Sequence, residues 1–467
     1  MTAANFKRAR VVRSSWLEEG GRRLDCNPYM SGAFEAREAL RLLDAPKIRL
    51  RDLVKGIFHA GREGRTWVVD RRFGVPFIGS SDIRIADLSH LPLISKRQVK
   101  RNPLFTLEEH WTLITRSGTI GRMAYVRPDM AGLACSEHVL RVVPDDSLIP
   151  PGYLYAYLSS KFGLPLVISG TYGAIIQHIE AEHISDVPVP RFEGAFEDKV
   201  SDLIVRAAIA RAQASQLLRE GVQRFLLHAH LGDLTDARTS KAFSTTVVMR
   251  SAIERLDASY FSPFGSEPGE ALGQPRLYAR ALGDCATVFT PGIFKRMHVD
   301  DPGWGYPYFS GSELFELSPA PRGFLSRRAP GISDYLVKKD WLLVQDAGQV
   351  GGLIGRVTRA GLGVDNSVVS NHLMRVASDT REDSAYLFAI LTSAHGYRAI
   401  VRNAFGSSIP QLDPKQIARI KVPWLGAEQR ADVSSPILRA WELSDRADVE
   451  EKEATSMLEA RVEAGGR

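Results

Sequence analysis

Residues 192–233 read FEGAFEDKVSDLIVRAAIARAQASQLLREGVQRFLLHAHLGD, a stretch without proline. Small or apolar residues recur along it at alternating spacings of four and three, which form one narrow stripe on an α-helix. The stripe consists of Phe196, Val200, Leu203, Ala207, Ala210, Ala214, Leu217 and Gly221. The alanines predict close packing by a second helix. A helix of this kind is roughly 50 Å long, which disfavours the alternative of a surface helix on one globular domain.

The sequence before this stretch returns after it. GVPFIGSSDI, which starts at Gly74, returns as GYPYFSGSEL from Gly305, an offset of 305 − 74 = 231. CSEHVLRVV, which contains His138, returns as VSNHLMRVA with His372, an offset of 372 − 138 = 234. Six such blocks keep the same order at a nearly constant offset. The sequence therefore predicts a tandem duplication with a helix between the copies.

This organisation predicts an α+β fold with two similar mixed α/β domains, separated by long helices that pair as an antiparallel coiled coil. We expect the first domain at residues 1–191, the central helix at 192–233, the second domain at 247–425 and a C-terminal helix at 426–467. Pro436 is expected either to start the C-terminal helix or to break it. The acidic character of that helix predicts ion pairs with Arg206, Arg211 and Arg219 of the central helix.

Composition limits the class of protein. The chain has 467 residues, 44% of them hydrophobic, enough for two or three domains with ordinary cores. A net charge of +6 and a pI of about 9.1 hint at an acidic partner. Cys26, Cys135 and Cys285 lie far apart, so neither a disulfide framework nor a metal site is expected. Without an apolar run long enough to span a membrane or a signal peptide, a soluble, cytoplasmic protein is expected.

The sequence offers no convincing catalytic motif. Asn27-Pro28-Tyr29 lacks the second proline of an amino-methyltransferase motif, and no glycine-rich loop for AdoMet precedes it. The glycines around Gly351 lack the lysine of a phosphate-binding loop. His138 and His372 have no partners at metal-ligand spacing, so each is expected to be a structural or contact residue. We therefore expect a non-catalytic chain that binds no metal and no cofactor of its own.

Polar, aromatic and basic residues lie on loops between the expected short strands of both copies. Each alone is more simply a solvated surface group, but as a duplicated set they indicate nucleic-acid binding, because such side chains reach phosphates and base edges. The candidate DNA contacts in the first copy are Arg65, Arg72, Lys96, Arg97, Arg116, Thr171, Tyr172, Gln177 and His178. Those in the second copy are Lys295, Arg296, Trp304, Arg328, Gln345, Gln349, Asn403, Ser407, Ser408 and Gln411.

The chain resembles the specificity subunit of a type I restriction–modification system. The motifs that carry the resemblance are the paired GVPFIGSSDI and GYPYFSGSEL blocks, the run FGSSIPQLDPKQIARIKVPWL from Phe405, and AEQRADV from Ala427. The resemblance implies two target-recognition domains, each reading one half of a split, asymmetric site in double-stranded DNA. It also implies methyltransferase subunits, normally two, that clasp the helices and supply AdoMet for adenine methylation, and a motor-nuclease subunit that completes the restriction complex.

Two other classes remain open. One is a specificity module of another DNA-modification defence system, which reads DNA in the same way among different enzymes. The other is a protein–protein scaffold that binds no DNA, which the small net charge permits. A steep dependence of DNA binding on salt separates a DNA reader from a scaffold.

Overall fold

The computed structural model describes residues 12–19, 27–169, 178–232, 234, 245, 247, 255 and 257–465. The chain divides into two compact units. Unit 1 comprises Met1–Ala212 with Arg446–Arg467, and unit 2 comprises Gln213–Asp445. Both divisions fall inside long helices, so each long helix contributes to both units. The domain boundaries expected at the helix ends stay predictions, and most of the linker expected after Asp233 lies outside the described residues.

Unit 1 is a mixed α/β unit. Its helices before the long central helix are α1 (Ser14–Glu19), α2 (Asn27–Met30), α3 (Ala33–Leu42), α4 (Lys96–Arg101), α5 (Pro151–Ser159), α6 (Gly163–Ser169) and α7 (Ala181–Ser185). Its strands are β1 (Lys47–Arg49), β2 (Val54–Phe58), β3 (Trp67–Val68), β4 (Gly74–Ile78), β5 (Leu93–Ser95), β6 (Thr112–Thr115), β7 (Met123–Tyr125), β8 (Ala134–Cys135), β9 (Val139–Pro144) and β10 (Pro188–Pro190).

The strands of unit 1 form three small sheets. Two have four strands, in the orders β2-β9-β6-β7 and β3-β5-β4-β8, and the third pairs β1 with β10. Helix α5 is buried along most of its length, in agreement with its apolar sequence. The hydroxyl of Tyr153 on this helix donates to the carbonyl of Pro190, 2.6 Å away, which ties α5 to the last strand.

The long helix α8 (Gly194–His228) follows, and unit 2 then repeats the course of unit 1. Its helices are α9 (Pro263–Leu272), α10 (Gly311–Leu314), α11 (Arg381–Thr392), α12 (Ala394–Val401) and α13 (Pro414–Ala418), before the long helix α14 (Ala427–Glu463). Its strands are β11 (Ala279–Ala281), β12 (Thr287–Phe289), β13 (His298–Val299), β14 (Gly305–Phe309), β15 (Gly323–Ser326), β16 (Leu336–Val337), β17 (Leu342–Gln345), β18 (Val357–Arg359), β19 (Ser367–Val369), β20 (Leu373–Ala377) and β21 (Lys421–Pro423).

The sheets of unit 2 match those of unit 1 except for one additional edge strand, β16, which confirms the predicted duplication. Their orders are β12-β20-β17-β18, β13-β15-β14-β19-β16 and β11-β21. Gly74 pairs with Ser95 in unit 1 and Gly305 pairs with Ser326 in unit 2, so both partners are shifted by the same 231 positions. A Cβ on either glycine would lie 2.6 Å from the Cβ of a residue on the neighbouring strand. This close approach explains why both copies of the GVPF/GYPY block begin with glycine.

The predicted stripe of α8 is largely buried, and in each unit it packs against an antiparallel segment of α14. In unit 1, Arg206 pairs with Glu450 at 3.2 Å, and Arg211 pairs with Asp448 at 2.9 Å. These are two of the ion pairs predicted from charge. Arg219, the third arginine, forms no ion pair with any residue that the structure describes.

In unit 2 the two helices approach so closely that a Cβ on Gly221 would lie 2.5 Å from Cγ1 of Ile437. Neither expectation for Pro436 is correct, because Pro436 lies inside the continuous helix α14. A proline lacks the N–H that bonds the carbonyl four residues earlier, here that of Asp432. Arg224 of α8 donates to this carbonyl from 3.1 Å. The neighbouring helix thus satisfies the group that the proline leaves open.

Candidate nucleic-acid interface

The β3–β5 hairpin region of unit 1 and the β13–β15 region of unit 2 share one backbone arrangement and one set of cations. The amide of Lys96 donates to the carbonyl of Phe73 at 2.9 Å, and the amide of Arg327 donates to that of Trp304 at 3.0 Å. Three cations of unit 1 recur 231 positions later in unit 2. The pairs are Arg65 with Arg296, Lys96 with Arg327, and Arg97 with Arg328. We call these two groups, with Phe73 and Trp304, the hairpin clusters.

Each hairpin cluster carries one exposed aromatic ring beside an arginine. Phe73 and Trp304 stand at equivalent positions and each is 62% exposed. The Arg72 guanidinium lies 5.7 Å from the centroid of the Phe73 ring, and that of Arg328 lies 5.6 Å from the Trp304 ring. An exposed ring with a neighbouring cation is suited to a flat, negatively charged partner.

Several cations of these clusters are unpaired. Lys96 and Arg97 of unit 1 and Arg327 and Arg328 of unit 2 are exposed and form no ion pair with any described part of the chain, and the same holds for Lys295, which precedes Arg296. Arg72, in contrast, pairs with Asp70 at 2.7 Å. Unpaired, solvated cations cost little to bring against phosphate, so the clusters are electrostatically suited to a polyanion.

The guanidinium groups of Arg65 and Arg296 lie against aromatic rings at equivalent positions, and Arg65 also pairs with a carboxylate. The Arg65 guanidinium lies 4.9 Å from the Phe77 ring centroid and donates to Glu137 at 2.9 Å. The Arg296 guanidinium lies 5.3 Å from the Tyr308 ring centroid. Glu137 is nearly buried, and the hydrogen bond from Arg65 helps to lower the pKa of its carboxyl although burial opposes this. Arg65 is therefore partly engaged in the structure of its own unit.

A second group of candidate residues meets at the ends of β6 and β9 in unit 1. The amide of Arg116 donates to the carbonyl of His138 at 2.9 Å, and the carbonyl of Arg116 accepts from Ile179 at 3.0 Å. Ser117 forms a bridge with His178. The Arg116 side chain is mostly buried and bonds Glu180, which uses the charge within the unit. We call Arg116, Ser117, His138 and His178 the loop cluster of unit 1.

The equivalent loop cluster of unit 2 has the same backbone and different side chains. The amide of Asp346 donates to the carbonyl of His372 at 3.1 Å, and the carbonyl of Asp346 accepts from Leu412 at 2.8 Å. Ala347 forms a bridge with Gln411, as Ser117 does with His178. Asp346 therefore occupies the place of Arg116, and Gln411 that of His178. The two units thus carry largely buried groups of opposite charge, and different hydrogen-bonding groups, at equivalent positions of one scaffold.

The remaining candidates of unit 2 surround this cluster. The Gln349 side chain donates to the carbonyl of Ser408 at 3.0 Å, which links two exposed loops. Ser407, Ser408 and Gln411 are exposed. Gln345 is 9% exposed and donates to the carbonyl of Ala347 at 2.9 Å.

Not every candidate lies at these surfaces, and three candidates fall outside the residues that the structure describes. Asn403 is buried and donates to the carbonyl of Ala399 at 2.8 Å, a bond within its own helix end. Thr171, Tyr172 and Gln177 lie outside the described residues. For all nineteen candidates, contact with DNA stays a prediction.

Two arginines that sequence reasoning did not single out hold the loop clusters in place. Arg141 is buried and donates to the carbonyls of Cys135, Ser136 and Val139 at 2.5, 2.8 and 2.6 Å. Arg375, 234 positions later, donates to those of Val369, Ser370 and Leu373. The only sequence signal is that an arginine recurs in both copies of the block that contains His138 and His372.

Burial shifts the ionisation of these groups. It lowers the pKa of Arg141, and it lowers that of Arg375 to about 10. Burial also raises the pKa of Asp346 to about 6, although the nearby His372 and Arg375 oppose the shift. Arg141, Arg375 and Asp346 are thus buried ionisable groups whose charged forms are partly desolvated.

Two further findings concern metal binding and membrane insertion within the residues that the structure describes. These residues contain no group of three His, Cys, Asp or Glu side chains placed to hold a metal ion. Among the helices that they form, none combines the length and apolar character needed to cross a membrane.

Comparison with known proteins returns structural matches only. No family model matches the sequence, and no curated protein matches it. The S subunit of a type I restriction–modification system from M. genitalium is 11% identical, over 91% of this chain and 96% of that chain, with a TM-score of 0.33. The HsdS subunit from Thermoanaerobacter tengcongensis is 14% identical, over 90% and 97% of the two chains, with a TM-score of 0.28.

A third match is a structure of a type I R-M system, described for its complex assembly and conformational transition. It is 13% identical, over 90% of this chain and 95% of that chain, with a TM-score of 0.26. These matches come from the kind of system that the sequence motifs resemble. Because their TM-scores are below 0.5, we base the functional argument on the geometry of the chain itself.

Proposed function

We propose that this chain is the DNA sequence-recognition subunit of a type I restriction–modification complex, in which each unit reads one half of a bipartite, asymmetric site. The observation that carries the proposal is the repeated hairpin cluster. Unpaired cations and an exposed aromatic ring, Phe73 or Trp304, recur at equivalent positions of the same three-stranded scaffold in both units. A protein that recognises two segments of one duplex needs such a repeat.

The hairpin clusters suit the part of DNA that never varies. The phosphate backbone is the same in both half-sites, so cations that bind phosphate have no reason to differ between the copies. Lys96 and Arg97 keep their charge as Arg327 and Arg328. We assign these residues to the DNA backbone.

The loop clusters suit the part of DNA that does vary. Arg116 corresponds to Asp346, Ser117 to Ala347 and His178 to Gln411, by the matching backbone bonds described above. Donors and acceptors thus differ at equivalent positions, as reading two different half-sites requires. The buried Arg141 and Arg375 keep both loop scaffolds rigid.

The proposal assigns chemistry to other subunits. Two methyltransferase subunits, which bind AdoMet and methylate adenine, would join this non-catalytic chain along its long helices, and a motor-nuclease subunit would complete the complex. The lack of a methyltransferase motif in the sequence supports this division, as does the resemblance of the helix-flanking motifs. A cytoplasmic location follows from the same assignment, because the substrate is cellular or invading DNA.

The test is the salt dependence of binding to duplex DNA by the chain in complex with its proposed methyltransferase subunits. The double variants Lys96→Ala/Arg97→Ala and Arg327→Ala/Arg328→Ala each remove two phosphate contacts. Each should reduce the slope of log K against log salt by about 1.8, since one contact contributes roughly 0.9. Fluorescence anisotropy measures this.

The matched control is Lys55→Ala/Lys415→Ala, which removes two exposed lysines outside the clusters. An equal slope change in control and test variants would refute the assignment of the hairpin clusters. A complex that binds every duplex with one affinity would refute the recognition function itself.

A further inference from the structure

His372 lies on a turn whose backbone is hydrogen-bonded by a buried arginine. The turn joins β19 to β20, and the buried Arg375 bonds the carbonyls of Ser370 and Leu373 on either side of the histidine. The amide of His372 donates to the Ser370 hydroxyl at 3.3 Å. The backbone is therefore fixed, while the imidazole itself is 50% exposed.

The imidazole has one close internal neighbour. Its Nδ1 lies 3.4 Å from Oδ1 of Asp346, whose side chain is nearly buried, although the geometry is not that of a hydrogen bond. The negative charge of an ionised carboxylate at this distance favours the tautomer that keeps the proton of a neutral imidazole on Nδ1. Nε2 then carries a lone pair, and it has no hydrogen-bond partner among the residues that the structure describes.

The surroundings of His372 belong to the loop cluster of unit 2. The carbonyl of His372 accepts from the amide of Asp346. Gly348, two residues after Asp346, donates its amide to the carbonyl of Pro410 at 3.0 Å. Gln349 and Ser408 are joined on the same loops. The half-exposed ring thus stands beside the residues that we assign to base reading.

We propose that His372 reads a base by accepting a hydrogen bond at Nε2 from an exocyclic amino group, N6 of adenine or N4 of cytosine, and that Asp346 is the positioning residue that keeps Nε2 an acceptor. The inference rests on the proposed function and assigns one specificity-determining contact within it. Amino groups of this kind are displayed in the major groove, where the base pairs are distinguishable.

His138, the equivalent residue of unit 1, is held differently. Its Nδ1 lies 2.7 Å from the Ser117 hydroxyl, and its Nε2 lies 3.4 Å from Oε1 of Glu137. A hydroxyl both donates and accepts, so it does not select a tautomer. Glu137 also already faces the second nitrogen. His138 therefore lacks the free acceptor and provides a matched control.

The experiment uses the complex with its methyltransferase subunits at about pH 8, where imidazole groups are neutral. Methylome sequencing first defines the recognised motif. Competition binding then measures duplexes that carry each single base-pair substitution, for the wild type and for His372→Gln, His138→Gln, Asp346→Asn and Asp346→Ala. Thermal unfolding of each variant is recorded alongside.

His372→Gln should reduce discrimination at one base pair of one half-site by roughly tenfold, the size of one good base contact. His138→Gln should leave that base pair unaffected. Asp346→Asn is the decisive variant, because the neutral amide both donates and accepts and therefore no longer selects the imidazole tautomer. The preference for adenine or cytosine at that position should be lost, so that guanine and thymine, which present acceptors, are bound nearly as well. Asp346→Ala should weaken the preference in the same way.

A purely structural role would give a different pattern. If Asp346→Asn and Asp346→Ala lower stability and affinity in parallel, with the same preferred base at every position, the inference is wrong. Equal effects of His372→Gln and His138→Gln on both half-sites would also overturn it. These results leave the proposed function intact, whereas a wild-type complex without any sequence preference would overturn the proposed function itself.

Discussion

Arg141 and Arg375 occupy equivalent positions in the two units and donate hydrogen bonds to backbone carbonyls at equivalent positions. Each charge is solvated by carbonyl dipoles in the interior, and burial lowers both pKa values. Each guanidinium therefore links the end of one strand, the following turn and the start of the next strand through hydrogen bonds to a single planar group. The loop clusters above it can therefore differ in side chains without losing their backbone geometry.

Replacing either arginine by methionine should destabilise its unit by about 3 kcal/mol or more, because three buried carbonyls lose their partner and each costs ~1–3 kcal/mol. Lysine should rescue little, since a single ammonium group cannot reproduce the planar fork. Denaturant unfolding measures the loss. Arg439→Met, at an exposed position on α14, is the control. Similar stability of Arg375→Met and Arg439→Met would contradict this account.

The repeat and the long helix could be predicted from the sequence because they are properties of spacing. The stripe from Phe196 to Gly221 needs only helical periodicity, and the paired blocks need only comparison of the chain with itself. The role of Arg141 could not be predicted, because a buried arginine looks like any surface arginine until folding brings three carbonyls to it. The continuous helix through Pro436 was missed for a similar reason, since Arg224 lies more than 200 positions earlier.

The candidate site likewise has some features that the sequence predicts and others that depend on tertiary contacts. Basic residues of the hairpin clusters could be identified by type, whereas the correspondence of Arg116 with Asp346 emerges only from the backbone bonds. Sequence reasoning also treated Arg116, Gln345 and Asn403 as open to solvent. Their burial depends on tertiary partners such as Glu180 that lie far away in the chain.

Gly221→Ala should destabilise unit 2 by about 1–3 kcal/mol, the usual range for overpacking. In an unconstrained helix the same change stabilises by about 1 kcal/mol, so the sign itself is informative. The new Cβ would lie 2.5 Å from Cγ1 of Ile437 and 2.8 Å from its Cδ1. With Ile437→Ala as background, both atoms are gone and only the Val433 carbonyl oxygen, 3.2 Å from the new Cβ, remains close, so Gly221→Ala should cost much less than in the wild type. Denaturant unfolding of the four proteins checks this, and additive effects would contradict it.

Arg224→Met should cost less in a Pro436→Ala background than in the wild type. In the wild type, Arg224 is the donor to the Asp432 carbonyl that Pro436 leaves without a helical partner. An alanine at position 436 restores the backbone N–H, and with it the helical bond. The coupling should be roughly 1 kcal/mol, the value of one hydrogen bond, in a double-mutant cycle. Zero coupling would show that Arg224 acts only through its ion pair with the Asp432 side chain.

Acid should weaken the helix pair of unit 1 through Glu451. Burial alone raises the pKa of this carboxyl, but the charge of Arg211 and hydrogen bonds from Tyr155 and Arg211 outweigh it, so the pKa is lowered. A carboxyl with a lowered folded-state pKa stabilises the fold above its unfolded value of roughly 4.3, and this contribution is lost as pH falls through the folded value.

The free energy of unfolding of the wild type should therefore exceed that of Glu451→Gln most near neutral pH, and the difference should shrink in acid. Urea unfolding between about pH 7 and pH 3 measures it. Glu453→Gln, at an exposed position of the same helix, is the control. A difference for Glu451→Gln that grows in acid would reverse the sign and contradict the argument.

The last prediction concerns the division of reading between the loop clusters. His178 and Gln411 hold equivalent bridge positions, so alanine at either keeps the backbone pairing with Ser117 or Ala347. We expect Gln177→Ala/His178→Ala to relax the requirement in one half of the methylated motif. Ser408→Ala/Gln411→Ala should relax the other half. Each lost base contact should remove ~1–3 kcal/mol of discrimination.

Methylome sequencing of cells that carry each double variant gives both halves of the motif in one measurement. Thermal unfolding of the purified variants provides the control, because turns with a purely structural role would lose stability and DNA binding together. Equal loss at both half-sites would show that the loops support the fold and do not read the sequence. Selective loss, with unfolding temperatures unchanged, would assign one half-site to each unit and make the loop clusters the place to engineer new specificity.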